Sequence, residues 1–249
     1  RWNMKLRQVA LVAENLADAR KLFFQLLGVD NDFADEGLGF FSLKNSVMTI
    51  GETFLEIVSP KQENTTAGRF LQQRNGDGGY MVLAQVTDIE SVRDRIERLA
   101  IRKVWEANRE DVVAFHVHPK DIGAAIVSFD EMRPAHDWVW AGPNWRERSA
   151  AHVSAILGTT IQAADPEAIA LRWSDAFGKP IELLGDRFQL LLDEGLIEFI
   201  EATDGRGDGI TAVQFETQDL HTVREAAINM ELDWQSNEVE LCGTRLQFL

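Results

Sequence analysis

The order of apolar and polar positions along the chain repeats one grammar four times: a strand, a capped amphipathic helix, then short strands. Residues 6–13 read as a strand, and Asn15 follows as a helix N-cap. Leu16, Ala19, Phe23 and Leu26 then recur at helical spacing, and Gly28 is placed to end the helix. Short strands are predicted over 39–43, 47–50 and 53–59, with Asn45 and Gly51 supplying turns. The second copy opens over 80–86, with Asp88 as cap and Ile89, Val92, Ile96 and Leu99 as the helical stripe. Its strands are predicted near 103–105, 112–117 and 124–129. The third copy opens over 159–163, where Asp165 as cap with Pro166 at the first helical position is a favoured pairing. Ile169, Trp173 and Phe177 form its stripe, and 188–192 and 196–200 its later strands. The fourth runs from 211–216 through an Asp219-capped helix to a final strand over 244–248.

Residues 132–148 break this grammar with Pro134, Gly142, Pro143 and three tryptophans, Trp138, Trp140 and Trp145. The break divides the chain into a first module over 1–132, a connector over 133–149 and a second module over 150–249. The indoles either glue the modules together or close a lid over a ligand site; gluing is the expectation. The fold class that follows is α+β, with four βαβββ units in two modules.

Composition narrows the function classes. The 249 residues hold 25 Lys plus Arg against 40 Asp plus Glu, a net charge of −15. With no basic stripe to override this acidity, nucleic acid and anionic membrane surfaces are excluded as partners. The lone cysteine, Cys242, excludes a disulfide framework and a cysteine-rich zinc site. No stretch approaches the roughly 20 apolar residues of a membrane-spanning helix. The opening Arg1-Trp2-Asn3-Met4 lacks the apolar core of a signal peptide, so a cytoplasmic location is expected, with Met4 a candidate native start. No nucleophile elbow, phosphate-binding loop or dinucleotide fingerprint occurs. The glycine-rich runs at 76–80 and 204–209 each precede a strand and read as loops joining units.

Four stretches carry a family resemblance: RQVALVAENLADARKLF and FLEIVSP in the first unit, YMVLAQVTDIESVRDRI and HPKDIGAAIVSFD in the second. Together with the tandem strand–helix–strands repeat, they resemble the vicinal oxygen chelate superfamily. That superfamily includes glyoxalase I, methylmalonyl-CoA epimerase, extradiol dioxygenases and the bleomycin- and fosfomycin-resistance proteins. The resemblance implies two glyoxalase-like modules with curved mixed sheets; over 153–249 it is one of pattern only. It also implies a divalent ion (Mn, Fe, Ni or Zn) held by residues from the first and fourth strands of two units. Position by position these are Gln8 and Glu56, then Met81 and Ser128. Met81 and Ser128 depart from the pattern, because a thioether and a neutral hydroxyl replace the imidazole and carboxylate that hard ions favour. Pairing the first unit with the fourth would add Ala212 and Gln247, and pairing the second with the third would add Gly158 and Glu198. Neither completes a ligand set or the His, His, Glu iron site of a dioxygenase, so no metal is assigned, and Gln8 and Glu56 are the residual ligands.

Strand alternation gives the first module two faces. One carries Val9, Leu11, Leu55, Ile57, Val82, Ala84, Val86, Val127 and Phe129, all apolar, as packing on helices requires. The other sets Gln8, Glu56, Gln85, Ser128 and Asp130 among Ala10, Val12, Phe54, Met81, Leu83 and Ile126, a composition that suits a ligand pocket. A carboxylate there has its proton affinity raised by desolvation, so Glu56 is the candidate base, with Gln8, Met81, Gln85 and Ser128 as substrate-binding residues. His118 is expected in the turn shared by the family, and His116 beside the helix or at the rim. Three outcomes stay open: a glyoxalase- or epimerase-type isomerase or lyase acting on a small carbonyl or carboxylate compound, a non-catalytic small-molecule binding protein, and a cup filled by its own side chains. The partner is a small-molecule ligand, and the chain is expected to be a monomer or homodimer.

Overall fold

The computed structural model describes residues 2–249. The first half runs β1 (Met4–Val12), α1 (Leu16–Leu27), β2 (Leu43–Ile50), β3 (Thr53–Pro60), α2 (Thr66–Gln73), β4 (Gly78–Val86), α3 (Ile89–Arg98), β5 (Lys103–Asn108), β6 (Val112–Val117), α4 (Pro119–Ile122) and β7 (Ile126–Met132). The second half runs β8 (Ala155–Ala163), α5 (Pro166–Phe177), β9 (Ile181–Leu184), β10 (Arg187–Leu191), β11 (Leu196–Glu201), β12 (Gly209–Glu216), α6 (Leu220–Asn229), β13 (Glu238–Leu241) and β14 (Thr244–Phe248). These strands form two seven-stranded mixed sheets, ordered β2-β3-β1-β4-β7-β6-β5 and β13-β14-β12-β8-β11-β10-β9. The α+β class with two glyoxalase-like modules is therefore what the chain adopts.

Local chemistry explains the helix boundaries. The side chains of Asn15, Asp88, Asp165 and Asp219 each accept a hydrogen bond from the backbone N–H three residues on, satisfying a donor that the first helical turn leaves free. Gly28 and Gly178 end α1 and α5 in the left-handed region. Gly51 turns the chain between β2 and β3 at φ 64°, and a Cβ there would lie 2.1 Å from the Ser154 carbonyl oxygen, so the turn requires glycine twice over.

Two expectations fail in the first unit. Residues 39–43 do not form a strand; Asp35 caps a 3₁₀ turn, Glu36–Phe41, by accepting from the Gly37 N–H. The missing strand is reduced to one antiparallel bridge, Phe33 with Val47. Asn45 supplies no turn either, since it lies inside β2 opposite Val58. The first and fourth units thus contribute three strands to their sheets, and the second and third contribute four.

Internal contacts group the chain into two compact units. One, the Glu56 unit, comprises residues 8–80, 140–157 and 211–249. The other, the Ser128 unit, comprises residues 2–7, 81–139 and 158–210. In the Glu56 unit α1 packs on α6, and Val9, Leu11, Leu55 and Ile57 turn a fully buried apolar face inward. In the Ser128 unit α5 packs on α3 and α4. There Trp173 stacks on Phe177 at 5.3 Å, and Phe177 meets Phe129 edge-on at 5.0 Å. Full burial of a large apolar side chain contributes roughly 1.5–3 kcal/mol, so the helix-facing side contributes a large share of the stability. Among the described residues, no helix is long and apolar enough to cross a membrane.

Candidate functional site

Glu56 stands mid-strand on β3, in register with Ala10 of the parallel β1 and Val47 of the antiparallel β2. Because side chains two apart share a face, Gln8 on β1 and Asn45 on β2 stand on the same side of the sheet as Glu56. Gln8 Nε2 donates to Glu56 Oε1 at 3.0 Å, and Asn45 Nδ2 donates to Oε2 at 2.7 Å. The Asn45 amide is itself held, because its Oδ1 accepts the Asp35 backbone N–H at 2.8 Å. Each carboxylate oxygen therefore has one neutral amide donor and no cation.

That arrangement sets the proton affinity. Burial pushes the Glu56 carboxyl up to about 7; the bonds from Asn45 and Gln8 pull against the shift, and the nearby negative charge of Asp35 adds to it. Desolvation wins because two neutral donors offset only part of the cost of removing a charge from water. Tyr80 on β4 is buried against the edge of Phe70 from α2, ring centroids 5.0 Å apart. Burial first, and then the charge of Glu56, push its phenol up as well. Sequence reasoning missed Asn45, Tyr80 and α2. The period-two run Asn45, Val47, Thr49 was the signal available for the first of these.

Met81, Gln85 and Ser128 fall in the Ser128 unit. Met81 is buried in register with Ile126. Gln85 is fully engaged: its Oε1 accepts from the Arg7 guanidinium, and its Nε2 donates to the Ala135 carbonyl at 2.6 Å. The Arg7 guanidinium also lies 5.3 Å from the centre of the Trp138 ring. Ser128 is buried and its Oγ has no hydrogen-bond partner. His116 is not at the helix side; it is the cross-strand partner of Ser128 and so shares its face, with its ring 4.4 Å from that of Trp105. Burial drives the His116 imidazole down to about 3, so it is neutral at ordinary pH. His118 caps α4 by accepting the Lys120 N–H on Nδ1 at 3.1 Å, as the turn reading requires.

In the connector, Trp138 and Trp145 are buried. Trp145 meets Phe54 edge-on at 5.1 Å, and Phe54 lies two residues from Glu56 on the same face of β3. The indole thus covers part of the face that carries the carboxylate.

The donor set at Glu56 does not suit a divalent ion. The Gln8 amide presents its N–H, not its oxygen, to Glu56, and both carboxylate oxygens already accept amide protons. Among the described residues no three His, Cys, Asp or Glu side chains gather where an ion could be held. Glu198 occupies the matching place in the third unit, but Arg187 Nη1 at 2.6 Å and Gln189 Nε2 at 3.2 Å donate to it. Gln247, the matching residue of the fourth, accepts from Gln214 at 2.6 Å and donates to Glu238 at 2.7 Å.

No protein-family profile matches the chain. It is 23% identical over 138 residues to the ethylmalonyl-CoA/methylmalonyl-CoA epimerase of Cereibacter sphaeroides, covering 51% of this chain and 98% of that protein. Among solved structures, a hypothetical protein from Staphylococcus aureus superposes with a TM-score of 0.69 at 11% identity, covering 99% of this chain and 98% of that one. A variant of 4-hydroxymandelate synthase from Streptomyces coelicolor superposes with a TM-score of 0.69 at 12% identity, covering 93% and 76%. At these identities the likeness is one of fold.

Proposed function

We propose, for a chain that has the vicinal oxygen chelate fold in two tandem modules, that it is a glyoxalase- or epimerase-type isomerase or lyase in which Glu56 takes a proton from carbon beside a carbonyl or carboxylate. The observation that carries this reading is the buried carboxyl itself, poised at about 7 between two amide donors. A base works best with a proton affinity near the working pH, where it is ionised often enough to accept and basic enough to pull. The partial likeness to an epimerase of ethylmalonyl-CoA and methylmalonyl-CoA supports the same carbon-acid chemistry and suggests a 2-substituted malonyl thioester as the first compound to try. Gln8 positions Glu56; in the Ser128 unit, taken by itself, Met81 and Ser128 are proposed to face a ligand, with Ser128 Oγ free to bond it, while Gln85 is already taken up by Arg7 and the Ala135 carbonyl.

A second reading, small-molecule binding without turnover, is favoured by Trp145 lying against Phe54, which narrows access to the carboxylate. Solvent deuterium exchange at the α-carbon of methylmalonyl-CoA and of related 2-substituted carbonyl acids separates the two. Enzyme-dependent exchange that falls about 10²–10⁴-fold in Glu56→Gln, with binding retained, is expected for a general base. Binding without exchange in the wild type would select the second reading.

A further inference from the structure

The sheet face that carries Glu56 holds one more polar side chain, Thr49. β2 and β3 are antiparallel, with Val47 opposite Glu56 and Thr49 opposite Phe54. Side chains two apart share a face, so Asn45, Val47 and Thr49 of β2 stand with Phe54 and Glu56 of β3. Asn45 and Thr49 are therefore the diagonal neighbours of Glu56 on β2, one to either side of Val47. Such diagonal pairs put Cβ atoms roughly 7–8 Å apart or somewhat less. The longer Asn45 side chain closes that distance and donates to Oε2 at 2.7 Å. The shorter Thr49 does not: it is 2% exposed, and its Oγ1 has no hydrogen-bond partner.

A buried hydroxyl without a partner costs stability. Valine has nearly the same shape, suits a strand equally well and carries no hydroxyl to desolvate. The strand would be served by valine, so the hydroxyl points to a bonding partner from outside the chain. The neighbouring groups indicate what that partner offers. The amide donors of Gln8 and Asn45 are already directed at Glu56. When a base removes the proton beside a carbonyl, the carbonyl oxygen gains charge and requires a donor of its own. That oxygen is two bonds from the α-carbon, so a compound presenting its C–H to Glu56 brings it within reach of a hydroxyl one diagonal away.

We propose that the Thr49 hydroxyl binds the carbonyl or carboxylate oxygen of the ligand in the Glu56 unit, donating to it beside the carbon that Glu56 deprotonates. This rests on the reading of Glu56 as base. The α-proton passes to the Glu56 carboxylate, and the C–H electron pair moves onto the carbonyl oxygen. The same proton, or one exchanged from water, then returns to carbon. Thr49 keeps its own proton throughout, so no oxidant or further reactant is involved. Phe54, opposite Thr49 and met edge-on by Trp145 at 5.1 Å, makes the surroundings apolar, which strengthens the bond.

Thr49→Val and Thr49→Ser separate this role from a structural one. The free Thr49→Val protein should melt about 2–4 °C above the wild type, because an unsatisfied hydroxyl is gone. A lower melting temperature would mean that the hydroxyl has a partner within the fold, and would overturn the assignment. Methylmalonyl-CoA is the probe for the ligand. Thr49→Val should slow its enzyme-dependent α-carbon deuterium exchange roughly 10²-fold, as loss of one oxyanion-directed donor does, and Thr49→Ser should restore most of it. Calorimetric titration of the same compound reads the contact without turnover, and Thr49→Val should weaken it about fivefold. Exchange and affinity unchanged in Thr49→Val, equal losses in Thr49→Ser, or no binding to the wild type would overturn the assignment. Weaker binding in Thr49→Val, with exchange absent from the wild type or untouched by Glu56→Gln, would keep the Thr49 contact and remove Glu56 as the base.

Discussion

Glu56 and Glu198 stand at the same place in the repeat, on the last strand of the first and third units, yet their surroundings differ in kind. Two neutral amides hold Glu56 in a buried setting. A guanidinium and an amide hold Glu198, and that guanidinium is half exposed at 49%. The same backbone position thus carries a carboxylate without a counter-charge in one module and an ion pair at the surface in the other. What differs is the neighbouring strand: β2 offers Asn45, and β10 offers Arg187 and Gln189. The fold supplies the position, and the facing strand decides whether it holds a buried carboxyl without a counter-charge or a structural ion pair.

The largest effect that would break this comparison is the dependence of stability on pH. The Glu56 carboxyl titrates near 4.5 when unfolded and near 7 when folded, so the folded protein binds the extra proton between those values. The resulting stabilisation is complete below about 4.5, declines as pH rises through 7 and is absent above it. At about 1.4 kcal/mol per pH unit this amounts to roughly 3 kcal/mol. Urea denaturation at pH 5 and pH 8 should show the wild type losing that amount relative to Glu56→Gln, with no such difference for Glu198→Gln.

Asn45→Ala sharpens the comparison at smaller scale. It deletes one of the two donors that favour the ionised form, so the midpoint of any pH–rate or pH–stability curve should move up by about one unit, the equivalent of a charge-assisted hydrogen bond of roughly 1.5 kcal/mol. A midpoint that stays fixed or falls would show that Asn45 does not tune Glu56. The smallest effect is expected from Arg187→Met, which removes a partly exposed ion pair. Its cost should be within about 1 kcal/mol in thermal or chemical denaturation, and α-carbon exchange should be untouched.

The sequence made the scaffold legible where the signals are local. Asn15, Asp88, Asp165 and Asp219 are read as caps because capping involves a residue and the N–H three positions on. Alternation along β1 and β3 likewise placed Gln8 and Glu56 on one face, and they meet there. Failures came where a distant partner decides. Asn45 has the composition of a turn, but its amide is spent on Glu56 and its strand continues through it. The run over 39–43 reads as a strand by apolarity, yet the Asp35 carboxylate captures the Gly37 N–H and winds Glu36–Phe41 into a 3₁₀ turn. The helix Thr66–Gln73 buries only Ala67 and Leu71, too few apolar positions for a stripe to stand out. Without that helix the Phe70 contact that orients Tyr80 was invisible. Of the two places expected for His116, the pairing of β6 with β7 removes the helix side, which a single strand does not reveal.

The central claim is that Glu56 itself changes protonation near neutrality, and infrared difference spectroscopy reads it directly. The carboxyl C=O band of the wild type minus Glu56→Gln should be present at pH 5.5, fade with a midpoint of about 7, and be absent at pH 8.5. A band already lost at pH 5.5 would mean an ordinary ionised carboxylate, and the account of Glu56 as a buried base would be wrong.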